Sequence, residues 1–184
     1  MSSLSARKAG NAIGSMVFSC FGTAWLIWWC LEVFGTKPEP MMLFLLFGGV
    51  MLALSVRQFS QNKSAYKAEA ETPERKRSGR IFNIVNGLQW LLIFGTAFSL
   101  NYLGLSAWIL PAVIFIVGAH FIPLAALFKA PRHYFTGVAI VLFAFVYPFV
   151  ADGGPKSPIG LLGIGLILWG SALSSLIPNL REDR

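Results

Sequence analysis

Apolar residues fall in six long runs along this chain, and charged residues are almost confined to the stretches between them. A hydrocarbon core of about 30 Å is crossed by roughly 20 apolar residues in helical form. The pattern therefore predicts membrane-spanning helices at 12–34, 41–56, 81–100, 107–128, 133–150 and 158–177. Lys37-Pro38-Glu39-Pro40 separates the first two, because proline cannot continue a helix. Asp152-Gly153-Gly154-Pro155 ends the fifth run, and Ser157-Pro158 reads as the N-cap and first-turn proline of the sixth. Residues 57–80 form the one long polar stretch and are expected as a cytoplasmic loop. Arg7 and Lys8 precede the first run as they would in a signal peptide. That run is too long for a signal's apolar core and lacks small residues for cleavage, so it reads as a retained anchor. The predicted fold class is all-α: a polytopic six-transmembrane-helix bundle forming a single domain over 1–184.

Composition supports the bilayer as solvent. The chain is 55% hydrophobic and 12% charged, against about 25% charge in soluble domains. A net charge of +7 would suggest nucleic acid in a soluble protein. Here the excess has another use, and no nucleic-acid partner is expected. Thirteen of the 15 Lys/Arg residues lie in the N-terminal segment, the loops after the second and fourth runs, and the C-terminal segment. Only Lys37 and Lys156 lie on the opposite side. Positive charge marks the cytoplasmic face, so both termini are expected in the cytoplasm. Cys20 and Cys30 share the first run, about 15 Å apart along one helix. They are read as small apolar fillers rather than a disulfide.

A faint repeat runs through the spans. Gly48-Gly49-Val50-Met51-Leu52-Ala53-Leu54 aligns with Gly118-Ala119-His120-Phe121-Ile122-Pro123-Leu124 and with Gly170-Ser171-Ala172-Leu173-Ser174-Ser175-Leu176. Phe21-Gly22-Thr23-Ala24 recurs as Phe94-Gly95-Thr96-Ala97. These echoes are compatible with three related helical hairpins, and equally with the small residues that any packed membrane helix uses. Gly10 with Gly14, Gly170 with Ser174, and the set Gly160, Gly163 and Gly165 are candidate close-packing positions, within one chain or between copies in a homo-oligomer.

Two ionisable side chains fall clearly inside the spans, Glu32 and His120, and such residues are functional candidates by default. Counting from the span ends puts His120 and Gln89 at one depth, about 12 Å from the cytoplasmic edge. Gln89 is then a candidate hydrogen-bond partner of the imidazole. Asn83, Asn86 and Gln89 fall within a 120° arc at 100° per residue. Pro123 is expected to kink the fourth helix beside His120. Ser19 and Ser171 come out at similar depth. The candidate ligand-binding set is thus His120, Gln89, Asn86, Ser171 and, at the other end of the first helix, Glu32. His120 has two further readings: interhelical hydrogen-bond glue, or a haem or metal ligand, for which His133 would have to approach it. No Cys-x-x-Cys or His-Glu-x-x-His spacing supports a metal, and neither cofactor nor catalytic residue is assigned. Trp25, Trp28 and Trp29 share a face with Glu32, either as an aromatic wall for an organic cation or as an interfacial belt. Arg75, Lys76, Arg77 and Arg80 are candidates for contact with anionic lipid.

The segment from Gly118 to Ala125, followed by Phe128 and Pro131, resembles a segment of small bacterial six-helix integral membrane proteins. The likeness covers about one helix and its following turn. It implies a bacterial inner membrane and brings no activity with it. Three function classes follow from the residues. A small-solute transporter or permeation protein fits the six helices and the polar pocket. A non-catalytic accessory or regulatory subunit needs packing surfaces alone. An intramembrane enzyme would need a nucleophile, an acid pair or a metal centre, and the sequence supplies only a histidine without a carboxylate at its depth.

Overall fold

The computed structural model describes residues 2–70, 72–128 and 130–182, with side chains at 2–3, 69–70, 74–75 and 178–182 left out of the description. Among the described residues the chain forms six α-helices: α1 (Ser2–Phe34), α2 (Pro38–Ala70), α3 (Pro73–Tyr102), α4 (Ile109–Leu127), α5 (Pro131–Val150) and α6 (Ile159–Glu182). Single 3-10 turns at Ser106–Trp108 and Gly154–Lys156 lead into α4 and α6. No strand occurs among the described residues. All six helices are long and apolar enough to cross a membrane, the build of a multi-pass integral membrane protein. The predicted all-helical, six-span architecture is present.

The helix ends follow from local chemistry. Gly35 stops α1 with φ of 65°, and its amide donates to the Leu31 carbonyl at 3.1 Å. Gly104, with φ of 73°, stops α3 in the same way, and the Leu105 amide reaches back to Leu100 at 2.8 Å. A left-handed residue just past a helix end lets its last carbonyls be satisfied. Pro131 opens α5 at its first turn, where a missing amide proton does no harm.

The polar stretch 57–80 is where the structure departs from the expected loop. α2 runs on to Ala70 and α3 already begins at Pro73. Residues 57–70 contain neither glycine nor proline and are rich in Ala, Gln and Lys, all good helix formers. Charge ends the membrane span there without ending the helix. At 33 residues, α2 is about 50 Å long against a core of about 30 Å.

The chain divides into two compact units: Met1–Lys76 with Gly165–Arg184, and Arg77–Ile164. In the first, α1 turns Ala12, Ser15, Ser19, Gly22, Leu26 and Cys30 inward. The alternating three- and four-residue spacing is that of a helix seam. α2 answers with Gly48, Met51, Ser55 and Gln58. Gly48 is seated against the side chain of Thr23. A methyl group on Gly165 would stand 2.7 Å from Leu26 Cγ and 3.1 Å from the Gly22 carbonyl oxygen. Gly22 and Gly165 thus let α1 and α6 meet backbone to backbone. In the second unit the same device joins α4 to α5. A methyl on Gly118 would lie 2.9 Å from the Val141 amide nitrogen, and one on Gly137 2.9 Å from the Gly118 carbonyl oxygen. Gly160 and Gly163 of α6 receive the rings of Tyr147 and Phe143, which stack 5.1 Å apart.

The echo positions in the sequence are not used alike. Gly22 meets Trp169, but its counterpart Gly95 faces open space; Gly48 and Gly118 are packed, but Gly170 has nothing within 4 Å. Gly10 is open as well. Between Lys76 and Tyr102 of α3 no residue is buried.

Candidate functional site

The second unit holds His120, Asn86 and Gln89. His120 is half-buried on α4. Its imidazole hydrogen-bonds the backbone of Val85 on α3, while its Nδ1 is buried without any hydrogen-bond partner. The ring meets Phe121 edge-on at 5.6 Å. Phe121 in turn lies 6.4 Å from the ring of His133. The turn between α4 and α5 is so short that His133, two residues into α5, is folded back beside α4. Both imidazoles therefore contact the one phenyl ring of Phe121.

No hydrogen bond joins Gln89 to His120 among the described residues. The imidazole meets α3 one turn nearer its start, at Val85. Depth counted from the edges of apolar runs fixes register only to about a turn, here roughly 6 Å, and α3 begins well before its apolar run. Asn86 and Gln89 are half-buried and Asn83 is exposed, so the expected polar stripe is split between interior and surface. α4 continues through Pro123, which leaves the Ala119 carbonyl without its helical donor.

Ser171 and Glu32 belong to the first unit. Ser171 Oγ donates to the Ile167 carbonyl at 2.9 Å, within its own helix. The Ser171 carbonyl accepts from Ser174 Oγ at 2.8 Å and from Ser175 Oγ at 3.0 Å. Glu32 is exposed near the end of α1, and its Oε1 accepts the Trp28 indole N–H at 3.1 Å. Trp28 stacks on Trp25, with centroids 5.6 Å apart and planes inclined by 13°.

Residues that sequence reasoning missed make the best-connected polar cluster. Ser15 and Ser55 are fully buried and lie 2.9 Å apart, Oγ to Oγ, across α1 and α2. Ser15 Oγ donates to the Ala172 carbonyl of α6 at 3.1 Å. Ser55 Oγ also lies 2.7 Å from the Met51 carbonyl. Gln58, one turn on, reaches the Leu176 carbonyl at 3.5 Å. Lys8 and Ser175 are buried in the same unit, and Ser19 Oγ is buried without a hydrogen-bond partner. Toward the other end the interior turns aromatic. The Trp169 indole donates to Thr23 Oγ1 at 3.2 Å, and Phe44 lies 5.7 Å from the Trp169 ring. The sequence signal for the cluster was a seven-residue spacing of Lys8, Ser15 and Gly22, with Ser55 and Gln58 three apart on α2.

The basic residues Arg57, Lys63 and Lys67 on the polar end of α2, and Lys76, Arg77 and Arg80 on α3, are exposed. The side chain of Arg75 lies outside the described residues. Among the described residues no three His, Cys, Asp or Glu side chains come together as a metal site would require. Comparison with protein-family models, curated proteins and solved structures finds no match to this chain.

Proposed function

We propose that this chain is a small-solute transporter or permeation protein of a bacterial inner membrane, with both termini cytoplasmic, and that His120 is its polar contact point. The observation that carries this reading is the buried, unpartnered Nδ1 of His120 on a helix whose other residues are apolar or small. Leaving such an atom unsatisfied costs about 1–3 kcal/mol. A solute offering a hydrogen bond recovers that energy on binding. The free Ala119 carbonyl beside it, left by Pro123, supplies a second polar contact on the same turn.

The test is a thermal-shift screen of the full chain in detergent against small polar solutes. A solute present at about one hundred times its dissociation constant adds about 2.7 kcal/mol, enough to move the melting temperature by several degrees. The shift is expected to disappear in His120→Ala and to persist in Ser171→Ala. A stabilising solute that acts equally on His120→Ala would overturn the assignment.

A second reading, an accessory subunit of a membrane complex, is favoured by α3, whose span has no fully buried residue and whose exposed side, with Ile84, Leu88, Leu91 and Phe98, is open to a membrane partner. Anionic lipid is proposed at Arg75, Lys76, Arg77 and Arg80, at roughly 1 kcal/mol per charge.

A further inference from the structure

The C-terminal end of α1 holds an arrangement independent of the His120 reading. The Trp28 side chain is 49% exposed. The near-parallel ring of Trp25 overlaps part of one of its faces, with centroids 5.6 Å apart, and no ring stacks on the other face among the described residues. The Glu32 carboxylate accepts the indole N–H, which holds it at the edge of the ring close to the ring plane. Glu32 makes no ion pair among the described residues, although Lys37 is exposed five positions further on. An anionic edge and an open π-face therefore meet at one point, with no cation of the protein's own in place.

We infer that this corner binds an organic ammonium group, over the open face of Trp28 and beside the carboxylate of Glu32. The face of an indole is the negative pole of its quadrupole and attracts cations more strongly than other aromatic rings. The carboxylate adds a full charge at the margin of that face. A small inorganic cation keeps its water and gains only the Coulomb term. A quaternary or alkylated ammonium is weakly hydrated, and its methyl groups lie against the indole as apolar surface. Glu32 is two residues from the last residue of a spanning helix, the level at which tryptophans meet headgroups. The ammonium group is carried there by a choline or ethanolamine lipid headgroup, or by a free organic cation on that side of the membrane.

The experiment is a tryptophan-fluorescence titration of the full chain in non-ionic detergent with tetramethylammonium chloride, against sodium chloride at equal ionic strength. A saturable change specific to tetramethylammonium is expected. Glu32→Gln keeps an acceptor for the indole N–H and removes only the charge, so its midpoint should rise about fivefold. Trp28→Leu should abolish the response. Competition by a short-chain phosphatidylcholine, but not by phosphatidylglycerol of the same chain length, assigns the site to a headgroup. Its absence assigns the site to a free cation, and either result upholds the ammonium site. A tetramethylammonium response equal to that of sodium, or titration of both variants like the wild type, overturns it.

Discussion

Ser15 and Ser55 make a sum of protons that does not match their contacts. Two hydroxyl protons serve three close approaches: Ser15 to Ala172, Ser55 to Ser15, and Ser55 to Met51. The Met51 carbonyl also lies in the helical ladder of α2 and loses little if Ser55 turns away. The favoured arrangement is then a continuous chain from Ser55 to Ser15 to the Ala172 carbonyl, tying three helices with two protons. Ser15 is its middle link, so Ser15→Ala should lower stability in detergent by about 1–2 kcal/mol and Ser55→Ala by about half as much. The double substitution should add little to Ser15→Ala, because both remove the same chain. Fully additive effects in denaturation curves would show the two hydroxyls to be independent. Ser15 and Ser55 escaped sequence reading because a serine costs little in an apolar run and looks like any other small residue. His120 stood out because an ionisable group inside a span is rare. Rarity made a residue visible, and connectivity did not.

At the scale of elements, apolar runs reported where lipid begins and ends, but not where helices do. α2 shows the difference. Its apolar run ends near Val56, while the helix continues to Ala70. The polar part keeps an inward face, with Gln58 buried, Asn62 half-buried and the rings of Phe59 and Tyr66 at 5.7 Å. Asn62 Nδ2 donates to the Gln58 carbonyl at 2.9 Å. Hydrogen exchange should therefore find amides from Arg57 to about Ala68 protected well beyond the rates of an unstructured loop. Rates there equal to those of free peptide would restore the loop that the sequence suggested. The same limit explains the slip between Gln89 and Val85. The sequence offered a residue of α3, Gln89, as the partner of His120 on α4, and the second unit does bring the imidazole to α3, at Val85. It could not fix their register, since the packed side chains decide that and the boundary between lipid and water does not.

For the whole molecule, the number of spans was legible because a bilayer imposes one length on every crossing. The division into two units was not, since it depends on which glycines pair, and Gly22 with Gly165 or Gly118 with Gly137 have no mark in the sequence beyond being small. The proposed orientation is open to direct test. In a background with Cys20 and Cys30 replaced by Ala, a single cysteine at Ser64 should react with a membrane-impermeant maleimide only after the cells are opened. One at Gly153 should react in intact cells. The reverse pattern would invert the topology.

The discontinuity of the first unit has a consequence for how the protein is made. Arg77–Ile164 is one uninterrupted length of chain, whereas the other unit takes its third helix from beyond it. Ser15 and its acceptor Ala172 are separated by 157 positions. The pair α1–α2 is therefore synthesised long before α6 exists, and it waits in the bilayer with Gly22 unfilled and Gln58 without the Leu176 carbonyl. Only α3 to α5 of the uninterrupted unit can pack during that interval, because its last residues, to Ile164, are the first turns of α6, and the pair α1–α2 is enclosed last. A nascent chain halted before α6 would carry that open polar seam within the membrane, the kind of exposed surface that marks an incomplete product for degradation.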